Sequence, residues 1–142
     1  MSSELKQLRV KVLADMYSVI RVDSERWNEI VADPSLSPRM SAPFMIFRSE
    51  QDFVLMLDEA DSMGIKARFP KGDIQAGLRI LEVRSSDGHR SPSAFSGLSS
   101  MVAEAGFGIR VLSGWDADFA VINQDELGAV LKFLSPHIEE LC

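Results

Sequence analysis

Residues 91–122 read SPSAFSGLSSMVAEAGFGIRVLSGWDADFAVI, a helix that has to stop followed by two strands that have to turn. Phe95, Leu98, Met101, Val102 and Ala105 fall on one helical stripe. Ser91 is placed to cap that helix, Pro92 suits its first position, and Gly106 stands where a left-handed residue ends one. Residues 109–112 and 119–122 are apolar, strand-forming runs around the acidic loop Ser-Gly-Trp-Asp-Ala-Asp. A helix with one apolar stripe and a hairpin have to bury their apolar faces together, so this stretch sets the core of an α+β unit.

The remaining segments arrange themselves around the same order. Residues 8–13 alternate as a half-buried strand and 17–22 form a second β-rich run. Asp23 and Ser24 open a short helix carrying Trp27, Ile30 and Val31, which has to end before Pro34. After a proline-rich loop, residues 44–48 and 53–57 read as a hairpin. Residues 58–64 suit a helical turn, 65–69 a weak strand, and 70–73 a surface turn. Residues 77–84 form the next strand. Beyond residue 122, Asn123 and Glu126 have capping-box spacing, and Leu127, Val130, Leu131 and Leu134 complete a helical stripe ahead of Pro136.

Strand, helix and hairpin therefore occur twice, a duplicated split βαβ unit with halves at residues 1–72 and 73–142. The second half lacks a fourth strand after its last helix, while residues 8–13 are surplus in the first. The N-terminal strand is expected to pair into the sheet of the second unit.

Composition narrows the function classes. The formal charge of −6 and scattered basic residues argue against a nucleic-acid partner. No window approaches the roughly 20 apolar residues needed to span a bilayer, and the start lacks a signal-peptide layout, so a cytoplasmic location without membrane attachment is expected. The one cysteine, Cys142, excludes an internal disulfide, and a catalytic thiol is not expected at a terminus. No cofactor, metal site or catalytic residue is expected. His89 beside Asp87 reads as a loop histidine, with no nucleophile elbow in the chain.

The ordered set of segments resembles small tandem ACT-domain proteins. The resemblance is carried by LRVKVLADMYSVIRV, PFMIFRSEQDFVLML and GLRILEV, and by Ala103-Glu104-Ala105-Gly106 followed by Trp115-Asp116-Ala117-Asp118-Phe119. That family is similar to aspartokinase regulatory domains and to cytosolic arginine sensors. The resemblance implies two ferredoxin-like βαββαβ units, each a sheet with helices on one face. It also implies a non-catalytic regulatory module that binds an amino acid at a unit or subunit interface. A structural or assembly protein of the same fold without a ligand site is the alternative. The pattern departs from the family at Pro92-Ser93, where a glycine-containing turn is frequent.

A free amino acid needs donors for its carboxylate and an anion for its ammonium. The N–H groups of Ser93, Ala94 and Phe95 offer the first, unless Ser91 caps them itself. Asp116 and Asp118, in the loop with Gly114 and Trp115, offer the second, unless they serve the turn. Trp115 suits either a pocket wall or an interface. Unpaired strand edges predict a homodimer.

Overall fold

The computed structural model describes residues 2–39 and 42–141, without the side chains of residues 2 and 3; Cys142 lies outside the described residues. The chain divides into two compact units, one of residues 15–77 and one joining residues 1–14 to 78–142. The first fourteen residues thus go with the C-terminal unit, and the change of unit falls at Gly77, not at residue 72.

The first unit contains β2 (Tyr17–Val22), α2 (Ser24–Ala32), β3 (Met45–Arg48), β4 (Phe53–Asp58), α3 (Glu59–Arg68) and the start of β5 (Asp73–Ser85). Its strand order is β3-β4-β2-β5, with antiparallel β3–β4 and β2–β4 ladders. Ile20, Val22, Leu55 and Leu57 point to the face covered by Ile30 of α2 and Ile65 of α3, forming one apolar core.

Residues 65–69 are not a strand. Residues 65–68 complete α3, with Ile65 buried in the core and Phe69 as the C-cap, and Asp58 caps the start of the helix by accepting from the Asp61 N–H at 2.8 Å. Glu59 and Asp61 in its first turn and Lys66 and Arg68 in its last suit the helix dipole. The fourth strand comes instead from β5, which starts at Asp73, earlier than the sequence suggests.

The second unit contains α1 (Ser2–Leu5), β1 (Leu8–Val12), the end of β5, α4 (Pro92–Glu104), β6 (Arg110–Ser113), β7 (Asp118–Asn123), α5 (Leu127–Leu134) and β8 (Glu140–Leu141). Its strand order is β6-β7-β5-β1-β8. The β1 strand pairs antiparallel with β5 in the register Val10↔Val83, so the N-terminal strand completes this unit as expected. Contrary to the expectation that no strand follows the last helix, Glu140 and Leu141 form the short β8, which adds parallel to β1. Leu8, Val10, Leu81, Val83, Ala120 and Ile122 face α4 and α5, whose Leu98, Val102, Val130 and Leu134 close the core. Each unit is α+β, a ferredoxin-like sheet with helices on one face.

Helix α4 ends as its sequence demands. Gly106 has φ +95°, its N–H donates to the Ala103 carbonyl, and the Phe107 N–H donates to the Val102 carbonyl, a Schellman stop. The capping box expected before α5 does not form. Asn123 makes no capping bond, and the Glu126 carboxylate instead accepts from the Gly108 N–H at 3.2 Å.

Candidate functional site

Two loops of the second unit meet. One is the loop from β5 into α4, the other the tight turn from β6 into β7. The first loop is shaped by backbone bonds from the Ser85 N–H to the His89 carbonyl (2.8 Å) and from the Gly88 N–H to the Ser85 carbonyl (2.9 Å), with Gly88 at φ +87°. Asp87 accepts from the His89 N–H at 2.9 Å, an Asx turn that fixes the approach to Arg90. The second turn is closed by the Gly114 N–H donating to the Ala117 carbonyl at 2.8 Å. A Cβ on Gly114 would lie 3.0 Å from that same carbonyl and from the Phe119 ring, so only glycine fits without a shift.

Three side chains stitch the loops together. Arg90 Nε donates to Asp118 Oδ1 at 2.8 Å, with the Asp118 side chain only 1% exposed and that of Arg90 31%. His89 Nδ1 lies 3.6 Å from Asp116 Oδ1, both exposed. Arg84 reaches out from β5 to the carbonyls of Gly88 (3.2 Å) and Asp116 (3.3 Å) while its Nε donates to Glu82 (3.0 Å). A cleft of about 180 Å³ lined by Arg9, Lys11, Glu82, Arg84, Ser85 and Gly88 adjoins the first loop.

The expected site residues fall into different environments. Ser91 precedes α4 but its side chain makes no capping bond, so the reading in which it satisfies the helix start itself does not hold. Its carbonyl accepts from the Phe95 N–H at 2.9 Å, which removes Phe95 from the donors free for a ligand. The N–H groups of Ser93 and Ala94 have no acceptor among the described residues. Ala94 and Phe95 send their side chains into the core. Ser93 is exposed, its hydroxyl 3.5 Å from the Glu4 carboxylate.

Asp116 is exposed, whereas Asp118 is fully buried on the helix-facing side of β7, opposite Val83. The pair does not present two carboxylates to one place. Asp118 Oδ2 is buried with no partner among the described residues. Trp115 is 94% exposed. Arg84 and Arg90 were not legible as site residues. The one signal for Arg90 is a cation directly ahead of the Ser-Pro that opens a helix. Among the described residues no group of three or more His, Cys, Asp or Glu is arranged to hold a metal, and no helix is long and apolar enough to cross a membrane.

No protein-family model matches the sequence, and no curated protein matches it. Solved structures do. A protein of Agobacterium tumefaciens superposes with a TM-score of 0.73 at 16% identity, over 96% of this chain and 92% of that one. A Vibrio cholerae protein of unknown function, described as a possible transport protein, gives 0.66 at 12% identity over 96% and 94%. The ligand-free regulatory subunit of aspartate kinase from Thermus thermophilus gives 0.60 at 10% identity over 90% and 96%. The fold is that of the aspartate kinase regulatory subunits. At such identities the likeness is one of architecture: two ACT-type units, with the loop into α4 and the β6–β7 turn as parts of the second.

Proposed function

We propose that this chain is a non-catalytic regulatory module that binds a free amino acid at the second unit, beside the start of α4. The observation that carries the reading is the stitching of the loop before α4 to the β6–β7 turn next to a helix start with no side-chain cap. The free N–H groups of Ser93 and Ala94, with the partial positive charge of the helix start, hold the ligand carboxylate. Asp116, exposed at the turn, holds the ammonium. Asp118 acts through Arg90, which it orients, and Trp115 and Gly114 form the outer wall. Occupancy shifts association of two copies of the chain by differential affinity for two states.

A second reading has its own observation. Ile46 and Phe47 on the edge strand β3, and Val111 on the edge strand β6, are large apolar side chains more than 40% exposed. Such edges favour an assembly role in which two chains pair and no ligand is bound. Thermal melting with each of the twenty amino acids at millimolar concentration separates the readings. A ligand at 100 times its dissociation constant stabilises by about 2.7 kcal/mol. Asp116→Ala is expected to abolish that shift. A dimer by light scattering with no shift from any amino acid would refute the ligand reading in favour of assembly.

A further inference from the structure

The first unit carries a cleft that the proposed amino-acid site does not use. Its volume is about 180 Å³, and of its ten lining residues only Ser37 is polar. Leu55 and Ile65, almost fully buried, form its floor, and Trp27 is a wall. That wall is braced from behind, since the Trp27 ring stacks on Phe53 with centroids 4.5 Å apart and planes 12° apart. The rim is Val31, 62% exposed, and Ile46, 41% exposed.

We infer that this cleft is a binding site for the uncharged, apolar end of a small molecule, an aromatic ring or branched hydrocarbon group. Three features select that class. An apolar cavity of about 150 Å³ stays dry and takes up a ring the size of benzene, so the volume here suits about six to ten carbon atoms. Among the described residues no charged side chain lines the cleft, so a zwitterion drawn inside would lose water from both charged ends without gaining partners there. The exposed rim residues are those that such an occupant would cover, while the Ser37 hydroxyl can donate one hydrogen bond to a carbonyl, or exchange one with a hydroxyl, at the mouth. The inference is independent of the amino-acid site, which lies in the other unit.

The chain has two tryptophans, one in the cleft and one on the exposed β6–β7 turn, so their indole N–H signals report on the two places separately. The full chain is titrated with benzyl alcohol and followed by proton–nitrogen correlation spectra. The expected result is a saturable shift of the Trp27 signal with the Trp115 signal unmoved. Val31→Asp and Ile46→Asp each place a charge at the rim on an exposed side chain, and each is expected to weaken binding at least tenfold without lowering the melting temperature of the free protein appreciably. A response that stays linear to the solubility limit, equal shifts of both indole signals, or unchanged affinity in both rim variants would overturn the inference.

Discussion

Replacing Arg90 by alanine tests the electrostatic frame of the candidate site. Asp118 is 1% exposed at its side chain, its Oδ1 has Arg90 as partner at 2.8 Å, and its Oδ2 has none among the described residues. Removing Arg90 leaves a buried carboxylate without a countercharge, a change that costs about 3–5 kcal/mol for a fully buried pair. Arg90 itself is 31% exposed, so its removal lets water approach, and the expected cost falls to about 2–3 kcal/mol. With an unfolding entropy of about 2.1 cal/mol/K per residue, a chain of 142 residues loses roughly 7–10 °C of melting temperature. Asp118→Ala should behave differently. It removes the buried charge, and Arg90 is exposed enough to hydrate, so the cost is about 1 kcal/mol or less. The double variant should match Asp118→Ala, which makes the magnitude of the coupling energy equal to the Arg90→Ala cost, about 2–3 kcal/mol. Urea unfolding of the four proteins by circular dichroism measures all the terms. A loss below about 0.5 kcal/mol for Arg90→Ala, or a loss as large for Asp118→Ala as for Arg90→Ala, would refute the reasoning.

Tyr17 is the chain's one tyrosine and is 1% exposed, so its phenol can be titrated by phenolate absorbance without overlap. Burial raises its pKa above the ordinary value, and the negative charges of Asp15 and Asp58 raise it further. The neutral phenol is thus favoured in the folded state. Its contribution to stability is complete below the unfolded pKa of about 10 and is lost as pH rises through the folded value, so alkaline unfolding should begin in that window and be delayed in Tyr17→Phe. A phenolate midpoint at or below the free value in the folded protein would contradict this. Gly106→Ala isolates backbone strain, because an added Cβ there meets nothing within 4 Å while φ is +95°. The left-handed conformation costs a non-glycine residue about 1–2 kcal/mol, readable in the same unfolding assay, and an unchanged midpoint would show that the helix stop relaxes freely.

Local signals in the sequence carried over where the controlling interactions are themselves local. The α4 stripe, its proline start and its Gly106 stop involve residues within one or two turns of each other, and all three are found, except that Ala105, expected on the stripe, is the exposed C-cap of the helix. Residues 65–69 misled because an isoleucine and a phenylalanine after a glycine suit a short strand as well as a helix. What decides is tertiary: Gly64 leaves Leu36 room to approach α3, an added Cβ meeting its Cδ2 at 3.1 Å, and Ile65 is buried in the core beneath. Glu126 has the right spacing for a capping box, yet its carboxylate is taken by the N–H of Gly108, eighteen residues away. The candidate site divides in the same way. Its two ends were legible as a helix start and an acidic turn. The Arg90–Asp118 pair that joins them spans 28 positions, and no local pattern announces it. Asp118 also looked like a loop residue equivalent to Asp116, whereas pairing with Val83 turns it inward as the first residue of β7.

The place of the N-terminal strand is explained by counting strands along the chain. The first unit starts at β2 and, after α3, needs a fourth strand beside its first; it takes the opening residues of β5. At Gly77, where φ is +73°, that strand passes into the second unit and becomes the unit's own first strand. The second unit can then place α4, β6, β7 and α5, but among the described residues only the two of β8 form a strand after α5. Two residues cannot cover the open side of β5. That place is filled by β1, antiparallel and in full register from Leu8↔Ser85 to Val12↔Leu81, with β8 added outside it. The unit that carries Arg90 and Asp118 is therefore closed by the beginning of the chain, not by the residues after its last helix. This is why Leu8 and Val10, among the first residues in sequence, have no measurable exposure, and why β8 at the other end remains an exposed edge.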